Sequence, residues 1–588
     1  YVIDENGKVI EEKSPARRWS FLVGKNEKSH TAQSRLVSIL EDDEHNPTLA
    51  QLEEAFNIEP VTKEFFEEYR NLLIRTVDEL DKIVERDEKI RKNFQEKNIN
   101  TVDFAKKLLG QIVFLYFLQK KGWFGVKRDA EWGTGAKDFL RRLFNREYGD
   151  YLPASQSRAP RQASKNFFND ILEPLFYEAL ARERDDNFYS RFNCKIPFLN
   201  GGLFEPIGDY DWVHTDIILP DELFSNSRRT SKGDIGDGIL DVFDRFNFTV
   251  KEDEPLEKEV AIDPELLGKL YEKFNAIRPD NFYEYKKALT SDKKNLEKQF
   301  NKKFGVYYTP REIVHYMCQQ SLIYYLADVT RASSLSSDHK QDVCDTGATQ
   351  SFSLSISIED IEKLIKYGEQ FKENEEFVKK KDKETKTYSY NLPESIRKYA
   401  YIIDKKLEEI KVCDPAVGSG AFLVGMMNEI VKARSVLSAF VTQTSSQNSS
   451  ITQTASMSNN HKQDACDTGV VQASSLRENN DKSKRTIYEF KRKCIEDSLY
   501  GVDIDPGACE IAKLRLWLSL IVDEEDIENI KPLPNLDYKI VCGNSLLGYP
   551  YKPKGLEEIE RLKKIFFEEV NLKRKNELRE KINSKIFN

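Results

Sequence analysis

Four short segments carry residue types and spacings from which chemistry can be built. The first is Ile410-Lys411-Val412-Cys413-Asp414-Pro415-Ala416-Val417-Gly418-Ser419-Gly420. An apolar strand ends at a carboxylate, a glycine-rich turn follows, and an amphipathic helix begins at Ala421. Gly418 and Gly420 permit backbone conformations closed to other residues and let a ligand approach the main chain. At the carboxyl edge of a parallel sheet that geometry suits a nucleotide-like ligand. It is not the dinucleotide fingerprint. The next glycine after Gly420 is Gly425, and Asp414 ahead of the turn repels a pyrophosphate but suits a cationic or amino-bearing ligand.

The second segment, Ser498-Leu499-Tyr500-Gly501-Val502-Asp503-Ile504-Asp505-Pro506, again reads as strand, acid, helix. Asp503 can accept from two ribose hydroxyls, and Pro506 fits a first helical position, where its missing N–H costs little. A third strand, 537–541, leads into Cys542-Gly543-Asn544, where Asn544 can bond an adenine edge. Upstream lies Phe304-Gly305-Val306-Tyr307-Tyr308-Thr309-Pro310-Arg311, in which Thr309 caps a helix with Pro310 in its first turn.

These segments need elements to position them. Residues 1–40 read as short strand and turn material, with Asn6-Gly7 a hairpin turn. From 48 to 190 the periodicity is helical. Thr48 caps 49–56, Thr62 with Glu64 opens a run to Lys82, and 104–121 carries a stripe through Leu108, Leu109, Ile112, Val113, Tyr116 and Phe117. Loops and short strands follow to 260, then a helix over 264–274. After the second strand, Ala508, Ile511, Ala512, Leu514 and Leu518 mark a packing helix. Residues 556–582 read as one charged amphipathic helix with Ile559, Leu562, Ile565 and Phe566 spaced for burial.

Composition bounds the answer. The 588 residues, 39% hydrophobic and 32% charged, suggest three or four folded units at about 150 residues each. No apolar run is long enough for a membrane helix, and no secretory signal opens the chain. Eight cysteines without a C-x-x-C pair do not form a disulfide scaffold, which points to a reducing cytoplasm. A net charge of -9 excludes a uniformly basic coat but not a local basic surface. Candidate phosphate contacts are Lys120-Lys121 with Lys127-Arg128, the stretch 158–165, and 293–303. Tyr1 in place of methionine suggests that the reading frame begins inside a longer protein.

Two stretches, 331–357 and 438–480, are rich in Ser, Thr, Gln and Asn. They share a near repeat, His339-Lys340-Gln341-Asp342-Val343-Cys344-Asp345-Thr346-Gly347 against His461-Lys462-Gln463-Asp464-Ala465-Cys466-Asp467-Thr468-Gly469. They read as a duplicated insertion looping into solvent, because such composition does not repay ordering entropy. Each copy offers one His and one Cys, so a shared zinc set is the sharper alternative. The His-x4-Cys spacing is not that of a usual zinc knuckle, and no metal is assigned.

In this order the four segments resemble the S-adenosyl-L-methionine-binding half of N6-adenine DNA methyltransferases. The likeness is to type II restriction–modification fusions, in which nuclease, methylase and recognition parts share one chain, and to BREX-type phage-defence methylases. It extends to 117–123, 197–204 and 247–250, which look like that family's helical connector. The resemblance implies an α/β fold: an incomplete Rossmann-like class I methyltransferase sheet over 291–588, preceded by a largely helical connector over 41–290. Residues 1–40 are then a remnant of an upstream, nuclease-side domain. It implies S-adenosyl-L-methionine as cofactor, double-stranded DNA as partner, and a restriction or specificity module in the full-length parent. By the same resemblance Thr309 and Pro310 close over the methionine end. Asp414, Pro415, Ala416, Gly418 and Gly420 hold the methionyl part, Asp503 the ribose, and Asn544, often Asp in the family, the adenine.

The main departure is catalytic. The family flips its target adenine into a pocket built on (Asn/Asp)-Pro-Pro-(Tyr/Phe), and no proline here precedes another proline. Motif order places that element after Asn544, so the expectation is a C-terminal truncation, inactive alone and lacking the DNA-recognition part. No catalytic residue is assigned. Nor is a nuclease site, since Asp4 with Glu11-Glu12-Lys13 lacks a supporting strand. Two other readings stand beside this one: a non-catalytic cofactor-binding or scaffold product of a decayed gene, and a different Rossmann-type enzyme acting on a small molecule.

Overall fold

The computed structural model describes residues 2–3, 9–10, 18–149, 166–199, 204–250, 257–291, 308–335, 356–455, 486–522, 536–547 and 555–587. Short gaps within these spans fall at 22, 25–28, 43, 232, 276, 386–388, 537 and 570–571. The near repeat, Asp4 and Glu11–Lys13, and the basic stretches 158–165 and 293–303 lie outside the described residues, as do 200–203 of the connector likeness and Tyr307 of the upstream segment. The chain forms two compact units. The first comprises 1–308, 415–421 and 501–588; the second comprises 309–414 and 422–500.

Strands β1 (Val2–Ile3) and β2 (Val9–Ile10) pair antiparallel, with Val2 opposite Ile10 and Ile3 opposite Val9; Asn6-Gly7 lies outside the described residues. Residues expected to continue as strand and turn instead form helix α1 (His30–Leu40) after β3 (Arg18–Ser20). Helix α2 (Leu49–Ala55) begins where Thr48 accepts from the Gln51 N–H in a capping box. Helix α3 (Glu59–Arg86) starts ahead of Thr62, because Pro60 occupies its first turn and the Thr62 hydroxyl bonds back to the Ile58 carbonyl.

Helix α4 (Glu88–Glu96) leads to α5 (Thr101–Gln119), the axis of the first unit. Residues 108–119 of α5 are all buried. A helix apolar all round must be enclosed on every side, and each large apolar side chain so covered contributes about 1.5–3 kcal/mol. Helix α6 (Phe139–Phe144), two π-helical turns (Phe168–Leu172 and Leu175–Leu180) and α7 (Ile239–Phe243) pack against it, and strands β4 (Phe188–Tyr189) and β5 (Cys194–Lys195) pair antiparallel. Phe65, Tyr69, Phe243, Phe246 and Phe248 form an aromatic cluster with ring centroids 5.0–6.2 Å apart. Strand β6 (Glu257–Glu259) pairs with β3, and α8 (Pro264–Asn275) and α9 (Phe282–Ser291) follow.

In the second unit, α10 (Arg311–Leu335), α11 (Ile358–Lys381), α12 (Glu394–Lys398) and α13 (Ala400–Glu409) precede β7 (Val412–Asp414). Helix α14 (Ala421–Ala455) runs into the second Ser-rich stretch, so residues 438–455, expected to loop out, extend the helix instead. Ser, Thr and Gln cost only fractions of a kcal/mol each in a helix already nucleated. Helix α15 (Ile487–Lys493) precedes β8 (Leu499–Asp503); in the first unit α16 (Pro506–Ile521) follows, and β9 (Ile540–Cys542) pairs with the end of β8. β8 and β9 are parallel, with Gly501, Val502 and Asp503 opposite Ile540, Val541 and Cys542.

The terminal segment is two helices, α17 (Leu556–Glu568) and α18 (Leu572–Phe587), rather than one. Along one straight helix Glu558 and Lys585 would stand about 40 Å apart, yet they form an ion pair at 2.8 Å. Folding back lets Ile559, Leu562 and Phe566 share a core with Leu578 and Ile582.

Candidate functional site

Four of the expected site residues, Gly418, Gly420, Asp503 and Asn544, lie at one edge of β8 and β9. Gly418 and Gly420 adopt positive φ, 51° and 80°, a region that L side chains rarely enter. The turn is closed by Gly420 N–H donating to the Val417 carbonyl at 2.8 Å, and it is joined to β8 by Val417 N–H donating to the Val502 carbonyl at 2.9 Å. Gly501 makes this approach possible, since a Cβ there would lie 2.8 Å from Val417 Cγ2.

Asp503 fastens the turn. Its Oδ2 accepts from Gly418 N–H at 2.9 Å and its Oδ1 from Asp505 N–H at 2.9 Å. Each carboxylate oxygen retains a second lone pair for a ligand. Asp505 caps α16 by accepting from Ala508 N–H at 3.1 Å, with Pro506 in the first turn. Gly543 N–H donates to the Asp503 carbonyl at 2.8 Å, which sets Asn544 beside the same strand end. Asn544 is exposed, and its Oδ1 accepts from Leu546 N–H at 3.0 Å. Around this edge Ile504, Leu546 and Leu547 are 69%, 91% and 79% exposed. Pro415 and Ala416 are exposed at the start of the turn.

Burial tunes the neighbouring thiols. Cys509 donates to the Asp503 carbonyl, and burial pushes its thiol up to about 12. Cys542 donates to the Ile504 carbonyl at 3.5 Å, and burial raises its thiol too.

The remaining expected residues belong to the second unit. Helix α10 opens one residue later than expected, at Arg311, with the exposed Pro310 carbonyl accepting from Val314 N–H at 3.1 Å; Thr309 is half-buried before it. α10 lies close along α14. A Cβ on Gly425 would be 2.7 Å from Val314 Cγ1, Cys318 donates to the Phe422 carbonyl at 3.7 Å, and His315 pairs with buried Glu429 at 2.8 Å. Burial pushes the Cys318 thiol up to about 12, with Glu429 and Asp414 adding to the effect. Asp414 is half-buried at the end of β7.

Sequence reasoning missed the residues that hold the turn from beneath. Arg515, on α16, is 2% exposed and donates to the Ser419 carbonyl at 3.1 Å. Gly268 of α8 makes room for it, since a Cβ there would lie 2.9 Å from Arg515 Nη1. On the same helix buried Glu265 accepts from the Tyr308 hydroxyl at 2.7 Å and pairs with Lys269 at 3.1 Å. Helix α8 therefore grips both the glycine turn and the residue before Thr309. From α5, half-buried Lys106 comes within electrostatic reach of Asp505; burial lowers its ammonium pKa, and Asp505 opposes that shift. The available signal was an arginine inside the mostly apolar run 514–521, because a buried charge needs a partner.

Among the described residues no group of three or more His, Cys, Asp or Glu is placed to hold a metal ion, and no helix is long and apolar enough to cross a membrane.

Among known proteins, the chain is similar to an inferred type II restriction enzyme and methyltransferase of Methanocaldococcus jannaschii. The two are 27% identical over 513 residues. The match covers 84% of this chain and 32% of that relative, so the chain spans about a third of its length. No family model and no solved structure matches.

Proposed function

We propose that this chain is the connector and cofactor-binding part of a restriction–modification DNA methyltransferase acting on adenine N6 in double-stranded DNA. In this reading β8 and β9 belong to a Rossmann-like class I methyltransferase sheet, and S-adenosyl-L-methionine binds at its carboxyl edge. The observation that carries the reading is the bond from Gly418 N–H to Asp503 Oδ2. It joins a turn that only glycine can form to the acid ending the next strand. The distant relationship to a restriction enzyme and methyltransferase supports it.

The residues at the edge fit such a ligand. Gly418 and Gly420 have no side chain to hold a methionyl group away from the main chain, and the Ser419 side chain between them is buried. Asp503, already oriented by two backbone N–H groups, presents acceptor lone pairs suited to a vicinal diol. Ile504, Leu546 and Leu547 give a purine an apolar surface; covering about 100 Å² of it contributes about 2.5 kcal/mol. Asn544 can donate to and accept from the edge of the base. When bound, the cofactor supplies an electrophilic methyl group on its sulfonium. No Pro-Pro pair occurs in the 588 residues, so the pocket for the target adenine is not assigned to this chain.

Isothermal titration of the whole chain with S-adenosyl-L-methionine tests the reading. Saturable one-to-one binding is expected, weakened at least tenfold in Asp503→Ala. A folded chain that takes up no cofactor overturns it.

A further inference from the structure

A large cavity among the described residues lies away from the glycine turn. It is a cleft of about 1330 Å³ in the first unit, lined by none of residues 415–421, 501–505 or 540–547. Its rim carries Lys120, Lys127, Arg128, Lys137 and Arg142. Three carboxylates also line it, and each has a partner: Glu147 accepts from the Asn145 amide at 3.3 Å. Asp138 accepts from Arg142 at 2.7 Å, and Asp244 accepts from Arg141 at 2.7 Å and from the Tyr116 hydroxyl at 3.0 Å. Lys127 and Lys137 are exposed, and Arg128, although paired with Asp186 at 2.9 Å, is also exposed.

One wall is the loop Gly133-Thr134-Gly135. Gly135 is pressed against the chain behind it, where a Cβ would fall 2.1 Å from the Phe124 carbonyl oxygen. At Gly133, with φ 85°, the nearest atom to an added Cβ is 3.8 Å away, so this wall is rigid yet bare of bulk. A polymer backbone can therefore come close to it. The aromatic floor decides between bases and phosphates. Phe192, Phe243, Phe246 and Phe248 are buried, and the Phe188 ring is already covered by the Arg128 guanidinium at 4.6 Å. None of these rings offers an open face on which an extruded base could stack, as single-strand binders do, and the half-buried Tyr148 ring packs against Phe139 at 5.0 Å.

We propose that this cleft binds the phosphate backbone of duplex DNA through Lys127, Lys137 and the neighbouring Lys120, as a second contact separate from the cofactor edge. The choice of DNA rests on the proposed methyltransferase function; the anionic backbone is read from the cleft itself. Binding is then sequence-independent and strongly weakened by salt, because each neutralised phosphate releases counterions.

The test is fluorescence anisotropy of the whole chain with a labelled mixed-sequence duplex across a salt series. Lys127→Gln with Lys137→Gln should weaken binding at least tenfold at low salt and reduce the slope of log K against log salt by about 2, near 0.9 for each phosphate no longer neutralised. A surface control with the same charge change, Lys380→Gln with Lys383→Gln, should leave the slope unaltered. Cofactor titration should be the same in all three proteins. Equal effects of the two double variants, tighter binding of single-stranded than duplex DNA, or no duplex binding at low salt would each overturn the cleft assignment while leaving cofactor binding intact. Loss of cofactor binding with DNA binding retained would instead count against the methyltransferase reading.

Discussion

Gly268→Ala sets two opposed effects against each other at a position far in sequence from the glycine turn. An added Cβ would stand 2.9 Å from Arg515 Nη1 and 3.1 Å from Ser419 Oγ. The atom that must yield is the end of a long side chain, so the helix itself survives. Alanine inside a helix is favoured over glycine by about 1 kcal/mol. Pushing the guanidinium off the Ser419 carbonyl loses a hydrogen bond from a charged donor, about 1.5–3 kcal/mol, at a site where Arg515 is only 2% exposed and water cannot replace it. The loss exceeds the gain. We expect a net destabilisation of about 0.5–2 kcal/mol by urea unfolding, together with several-fold weaker S-adenosyl-L-methionine binding as the turn presenting Gly418 loosens. Arg515→Lys, which keeps the charge but loses the planar fork, should act in the same direction. An alanine variant about 1 kcal/mol more stable than the parent, with cofactor affinity unchanged, would refute the idea that α8 and Arg515 position the turn.

Gly420→Ala should cost more than Gly268→Ala in stability. It forces a Cβ into φ 80° and to 3.1 Å from the Ala512 backbone, a strain of about 1–2 kcal/mol before any clash; a melting temperature equal to the parent's would contradict this. Glu173 provides a pH test. It is fully buried, accepts from the Tyr210 hydroxyl, and is pushed up to about 9 by burial, with Asp216 and Asp170 adding to the rise. The folded state thus holds this proton more tightly than the unfolded chain. The stability it contributes is full below about pH 4.5 and is lost as pH rises toward 9. Glu173→Gln should therefore gain on the parent between pH 6 and 9 and not below pH 4.5; parallel stability–pH curves would remove the effect. Leu109→Ala, at a position 0% exposed in α5, should cost about 2–5 kcal/mol, and a cost below about 1 kcal/mol would show that α5 is not the core axis.

The glycine turn and the strand end beside it were largely legible in the sequence because their signals are local. Glycine spacing marked the turn, Asp503 ended an apolar run, and Pro506 marked a helix start. The supports were not legible for the opposite reason. Arg515 and Gly268 lie on different helices, and nothing in either helix's periodicity reports that the two meet. The same limit explains the terminal segment. Its apolar stripe reads equally well as one helix or two, and only the packing of Phe566 against Ile582 selects the fold-back. Helix α1 lacked a side-chain cap at Ser29 and carries only Thr31 and Ala32 buried, so its pattern was faint.

The central claim is that residues near 418, 503 and 544 form one ligand edge. Hydrogen–deuterium exchange of the whole chain with and without S-adenosyl-L-methionine tests it most directly. Cofactor-dependent protection should appear together in peptides covering 415–421, 501–505 and 540–547. Protection confined to other peptides, such as those lining the basic cleft, or binding that leaves all three unchanged, would contradict it.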